Sequence, residues 1–317
     1  MPIFFRNVKT FLRAAALMLA LAPTAHADVQ KFLIPAGEGG GWDTTARETG
    51  AALTKMGLIG GAKYVNYSGE GGGRALNALA TSKEYKDALM VQSLPLILRS
   101  LSGVYDRSFR DVTPVAMLIA EYQVVVVDKD SPYKNMNELL AAIKDIGKRK
   151  PIVGGSAKGS LDHITALAVL EAANMSSKKL RYSASDGGGD AMRKFSNGYA
   201  LAMVTGMGEV VKQIKSGELR ALGVTSAERL EGFDIPTMKE QGLDVVLANW
   251  RGFFVAPGTP DKTVTKYADM LASLDKSPDW KTVRLKYGWE SLYIPAQDAR
   301  SFLEEQEVTI RRLLNSI

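Results

Sequence analysis

The capacity for chemistry in this chain is concentrated in clusters of glycine, serine and threonine rather than in histidine or cysteine. The sequence has no cysteine and two histidines, His26 and His163. No thiolate nucleophile, sulfur-bound metal or H-E-x-x-H pair can be built from that inventory. Four clusters stand out: Pro35-Ala-Gly-Glu-Gly-Gly-Gly-Trp-Asp43, Ser68-Gly-Glu-Gly-Gly-Gly-Arg74, Gly154-Gly-Ser-Ala-Lys-Gly-Ser160 and Ser185-Asp-Gly-Gly-Gly-Asp190. Glycine lets the backbone take positive φ and approach a bound group with no Cβ in the way. Where such a turn opens a helix, the unpaired amides of the first turn carry partial positive charge and suit a carboxylate or phosphate. A tight connection that binds nothing is the alternative for any one turn. Four in one chain point to a shared architecture.

Other signatures are absent. Trp42 and Arg74 stand where G-x-G-x-x-G needs its third glycine, and no G-x-x-x-x-G-K-[ST] loop exists. Ser156 has Lys158 where a nucleophile elbow has glycine. No spacing pairs His163 with a distant serine. Neither a catalytic group nor a cofactor is expected.

Each glycine cluster follows a short apolar run and precedes a helical pattern. Val29 to Pro35, Tyr64 to Tyr67, Leu89 to Gln92, Pro151 to Val153, Lys179 to Tyr182, Tyr199 to Val204, Leu219 to Thr225 and Arg251 to Val255 are expected as strands. Helices are expected from Asp43, as N-cap, to Met56, and over 72–79, 95–101, 135–146, 161–173, 190–196, 209–216, 260–274, 278–286 and 296–314. Alternation of this kind implies a mostly parallel α/β sheet with its turns beyond the carboxyl ends of the strands. Pro114 to Val127 is apolar enough, and long enough, for two consecutive strands that cross between domains. Trp280 and Trp289 are expected in packing.

Residues 1–27 carry a basic head (Arg6, Lys9, Arg13), an apolar run from Ala14 to Ala22, and Ala25-His-Ala27 as a cleavage signal. They read as a secretory signal peptide, too short to span a bilayer. Removing them takes three of 40 basic residues and none of 34 acidic ones, so the remainder carries a net charge of +3. That mild charge, with no basic block, argues against nucleic acid as a partner. Export without disulfides suits a periplasmic protein large enough to rely on its core. The length favours two domains, 28–118 with 226–317 and 119–225, joined by two crossings around a hinged cleft.

Candidate ligand groups lie at the turns. Ser156, Gly159 and Ser160 precede a helix, and His163 sits one turn in, facing either the ligand or a backbone carbonyl. Thr205 offers a hydroxyl to the cleft or caps a helix. Arg47, Arg74, Lys158 and Arg251 each read as either a surface cation or a clamp.

The motifs Ile34-Pro-Ala-Gly-Glu-Gly-Gly-Gly-Trp-Asp-Thr-Thr-Ala-Arg47, Gly155-Ser-Ala-Lys-Gly-Ser-Leu-Asp-His163, Leu219-Arg-Ala-Leu-Gly-Val-Thr-Ser-Ala-Glu-Arg229, Ile235-Pro-Thr237 and Trp250-Arg-Gly-Phe-Phe-Val-Ala-Pro-Gly-Thr-Pro260 occur in this order after the signal peptide. Together the chain resembles the solute-binding receptors of tripartite tricarboxylate transporters. The resemblance implies a type II periplasmic-binding fold, a monomer that closes on an organic di- or tricarboxylate and delivers it to membrane permease subunits. It carries ligand roles onto Ala36, Gly40, Gly41, Trp42 and Asp43, and onto Ser156, Gly159, Ser160, Gly187 and Gly188. Ser93, His163 and Thr205 complete the candidate set. The Gly-Gly-Gly-Trp-Asp form resembles the citrate-like subgroup, although Gly37-Glu-Gly39 stands where many members have proline.

Overall fold

The computed structural model describes residues 28–146, 149–155, 159–185 and 188–316. Its strands are β1 (Val29–Ile34), β2 (Gly61–Asn66), β3 (Ala88–Ser93), β4 (Thr113–Asp128), β5 (Ile152–Gly154), β6 (Tyr182–Ser183), β7 (Ala202–Gly206), β8 (Leu219–Val224), β9 (Ala248–Val255) and β10 (Glu290–Pro295). Helices are α1 (Gly41–Lys55), α2 (Gly73–Thr81), α3 (Pro95–Leu101), α4 (Met136–Ile146), α5 (Leu161–Ala172), α6 (Gly188–Ser196), α7 (Met207–Ser216), α8 (Asp261–Asp275), α9 (Pro278–Tyr287) and α10 (Ala296–Ser316).

The strands run in the order β2-β1-β3-β9-β4-β7-β5-β6, with β8 and β10 also paired to β4. The sheet is mixed rather than mostly parallel. The βαβ segments give parallel pairs (β1 with β2 and β3, β5 with β6 and β7), but every pair made by β4 or β9 is antiparallel. The apolar run expected to form two strands is one strand of 16 residues. It holds no glycine and no internal turn signal, so nothing interrupts it, and at about 3.4 Å per residue it spans roughly 50 Å. Up to Tyr122 it pairs with β9; from Gln123 onward it pairs with β7 and β8. The strand β10 went unrecognised because all its residues but the exposed Ser291 are half-buried, so no alternation of apolar and polar positions marks it.

Alternation along β1 shows how the first sheet is covered. Phe32 and Ile34 pack with Leu53, Phe253 and Trp280 on one face, while Leu33 packs with Leu76, Met90 and Trp250 on the other. The second half of the molecule repeats this: Val125 and Val127 meet Leu139 and Leu167 of α4 and α5, and Val124 and Val126 meet Phe195 and Val210 of α6 and α7. Trp280 and Trp289 are buried, as expected of packing residues. Leu230, Ile235, Leu243 and Val245, from the segment leading back to β9, pack in these second-half clusters.

Candidate functional site

The helix α1 begins at the end of the first glycine turn with Gly40, not Asp43, as its N-cap. Asp43 lies inside the first turn, where its carboxylate braces the loop. It accepts from the amide of Gly39 (2.9 Å), from Arg47 Nε (2.9 Å) and from Asn66 Nδ2 (2.9 Å). Burial pushes this carboxyl up, but the hydrogen bonds from Arg47, Gly39 and Asn66 outweigh it and hold the group below the ordinary carboxylate range. Arg47 is consumed in the same network, bonded also to Glu38 and Asn66 and lying 4.9 Å from the Tyr64 ring. Neither Asp43 nor Arg47 lines a cavity.

A cavity of about 220 Å³ opens where the two halves of the sheet meet. Ala36, Gly40, Gly41, Trp42 and Ser93 form its wall on the first side, joined by Pro95, Leu98 and Arg99 of α3. Gly155, Ser160, Leu161, Asp162, Gly188, Gly206 and Glu209 form the opposite wall. Between them lie Glu121 and Gln123 of β4 and Asn249 and Arg251 of β9, the two strands that run from one half to the other. The first turns of α1, α5, α6 and α7 therefore all contribute to one space, each with amides that have no partner within their own helix. Trp42 is fixed across the first wall by donating from Nε1 to Ser93 Oγ (2.9 Å).

Ser160 is the N-cap of α5, yet its hydroxyl makes no capping bond. Its Oγ is buried without a partner, as are Gln123 Oε1, Asn249 Oδ1 and Arg251 Nε on the same cavity. Buried polar atoms are ordinarily satisfied, so this cluster marks a space that a polar guest completes.

Some expected residues lie elsewhere. His163 accepts at Nδ1 from the amide of Gly159 (3.0 Å) and packs against Tyr182 at 4.6 Å, so it holds a backbone N–H in place rather than the expected carbonyl. Thr205 neither lines the cavity nor caps α7, whose N-cap is Gly206. Its hydroxyl sits behind the wall and donates to Glu209 Oε2 (2.6 Å). Ser156 and Gly187 lie outside the described residues. The second glycine turn, Ser68 to Arg74, does not reach the cavity either. Gly71 instead makes room for Arg99: a Cβ on Gly71, whose φ is +63°, would stand 2.2 Å from Arg99 Nη1.

Of the charged residues of the cavity, Arg251 was weighed as a surface cation or a clamp, while Glu121, Arg99 and Glu209 were missed. Arg251 is 4% exposed and ion-paired with Glu121, which is 3% exposed. Arg251 also donates to Thr45 Oγ1 (2.9 Å), and the other oxygen of Glu121 accepts from the Gly208 amide (3.2 Å) and Trp289 Nε1 (3.4 Å). Arg99 has no acidic partner among the described residues; its guanidinium lies 5.9 Å from the Trp42 ring, and burial lowers its affinity for the proton. Desolvation in the cleft, followed by the repulsion of Glu121, raises the Glu209 carboxyl above its ordinary range. A signal for all four was present. Glu121 is the single charge of the apolar run Pro114 to Val127, Arg251 the single charge of β9, Arg99 the single charge of Pro95-Leu-Ile-Leu-Arg-Ser-Leu101, and Glu209 follows Gly-Met-Gly208 directly.

Residues 68–317 match the profile of the tripartite tricarboxylate transporter family receptor. The chain belongs to this receptor family. Among relatives, a UPF0065 protein of Bordetella bronchiseptica is 24% identical over 321 residues, covering 97% of this chain and 92% of the relative. Among solved structures, a Rhodopseudomonas palustris protein with adipate superposes with a TM-score of 0.80 at 21% identity, over 93% of this chain and 97% of the other. MatC from the same organism, with bound malate, gives 0.76 at 21% identity over 90% and 98%. These likenesses establish the fold, two α/β lobes of the periplasmic-binding type, and the receptor family supplies the context in which the cavity is interpreted.

Proposed function

We propose that this receptor captures a small organic di- or tricarboxylate between its two halves and delivers it to the permease subunits of a tripartite tricarboxylate transporter, without transforming it. The observation that carries this reading is the convergence of four helix N-termini and the acid-free guanidinium of Arg99 on one cavity. A carboxylate placed there accepts from amides and the Ser160 hydroxyl and meets a cation whose charge no acid among the described residues offsets. The malate and adipate in the two R. palustris structures support an organic acid as guest. Citrate belongs with them because of the glycine-turn form.

Closure would bring residues 28–118 with the part of 226–317 from β9 onward against 119–225, the segment of Leu230 to Val245 moving with the second half in whose clusters it packs. The partner change of β4 at Tyr122 and Gln123 supports a hinge there. Residues 1–27 serve as the export signal, so the protein acts as a periplasmic monomer. A thermal-shift panel on the protein from Asp28 tests the reading, since a ligand at 100 times its Kd stabilises by about 2.7 kcal/mol. Citrate, malate, succinate, adipate, aspartate and glutamate form the panel. At least one acid should shift the melting temperature by several degrees and be recovered unchanged. No shift from any, or recovery of a product, overturns the proposal.

A further inference from the structure

The cavity holds more negative charge than a receptor for a bare polyanion would need. Arg251 is neutralised by Glu121, which among the described residues leaves Arg99 as the cation facing the guest. Against it stands Glu209. Glu209 lies on the wall made by α5, α6 and α7, opposite α3 and Arg99. The cavity is therefore polarised, cationic on one side and anionic on the other.

Glu209 is placed for contact. Its carboxylate lines the cavity and is exposed, and Gly188 makes room for it: a Cβ there would stand 2.5 Å from Oε2. Thr205 holds Oε2 from behind, while Oε1 has no hydrogen-bond donor among the described residues. Gln123 Oε1 and Asn249 Oδ1 are buried acceptors of the same cavity that also lack donors. A dicarboxylate without substituents supplies acceptors only and would leave all three unsatisfied.

We propose that Glu209 reads an ammonium group on the ligand, with Gln123 and Asn249 as accessory acceptors, so that the receptor prefers an amino-substituted dicarboxylate to its unsubstituted or hydroxylated counterpart. The inference rests on the carboxylate-receptor reading and refines its ligand class. One end of the ligand meets Arg99 and the helix amides, and the ammonium meets the Glu209 wall. Binding joins opposite charges across the cavity. The raised affinity of Glu209 for its proton, which desolvation in the cleft and the nearby Glu121 cause, fits this role, because a ligand ammonium favours the ionised carboxylate.

The test is titration calorimetry of the wild-type protein and Glu209→Gln with L-aspartate, L-glutamate, malate, succinate and glutarate, each variant first checked by circular dichroism. Wild type should bind an amino acid about tenfold or more tightly than the diacid of equal length, and Glu209→Gln should collapse that ratio towards one. A merely structural Glu209 would weaken all five ligands alike and keep the ratio. Thr205→Val, which frees Oε2 without removing the charge, should preserve the preference and serves if Glu209→Gln does not fold. Succinate or malate binding more tightly than aspartate in wild type overturns the ammonium subsite and leaves the receptor reading standing. Binding of none of the organic acids overturns the receptor reading itself.

Discussion

Asp43 and Glu209 are both acids in the first turns of helices that open on the cavity, and their surroundings are opposite: Asp43 is buried and Glu209 is exposed. Asp43 is surrounded by donors, an amide, a guanidinium and a side-chain amide, and is held ionised. Glu209 has one hydroxyl donor, a second acid nearby, and open space in front of its carboxylate. The first acid is part of the frame that shapes the glycine turn. The second is exposed to whatever enters. Polar residues inside a ligand-binding motif can thus be spent entirely on the loop's own shape, while the residues that meet the ligand come from apolar stretches with a single charge.

The largest effect should fall between these extremes, at the Arg251–Glu121 pair. Arg251→Met leaves Glu121 charged and buried, and urea unfolding should show a loss of about 3 to 5 kcal/mol. The double change Arg251→Met with Glu121→Leu should recover most of it. A small loss in the single variant would mean that the lack of a partner is not what distinguishes these acids. Next, Arg99→Met should weaken binding of the best organic acid about 10- to 150-fold by calorimetry, as expected for a charge-assisted hydrogen bond.

The two acids themselves should differ in the sign of their pH dependence. A carboxylate with a lowered folded pKa contributes stability above its unfolded value, 3.8 for Asp43, and loses it as pH falls through the folded value. Asp43→Asn should therefore cost about 1 to 3 kcal/mol at pH 7 and little at pH 2 to 3. Glu209 has a raised pKa, so its contribution is present at low pH and is lost as pH rises through the folded value. Glu209→Gln should leave the ligand-free protein as stable or more stable at pH 7. Matching pH–stability differences for the two variants would break the comparison.

The smallest effects concern binding through neutral groups. Ser160→Ala removes an unpartnered buried hydroxyl and should reduce affinity by about two- to tenfold. Arg47→Ala, outside the cavity, should change it by less than Ser160→Ala. A larger effect for Arg47 would show that the Asp43 network meets the ligand after all.

The sequence by itself determined the α/β alternation, nearly all the helices, the glycine turns at strand ends and the family, because these depend on local periodicity and on backbone freedom at glycine. It also placed Ala36, Gly40, Gly41, Trp42, Ser93, Ser160 and Gly188 in the candidate set, and these do share one cavity. It could not show that Asp43 and Arg47 bond to each other and to Asn66, since helix spacing allows that pair but does not require it. Nor could it show that the lone charges of two strands 130 residues apart in sequence neutralise each other. That is decided by the register of β4 on β9, which sets Ile119 beside Arg251 and leaves Glu121 within reach. Arg99 and Glu209 acquire their meaning the same way: a charge that is ordinary on a surface becomes selective only when the fold sets it on a shared cavity with no opposite charge paired to it among the described residues.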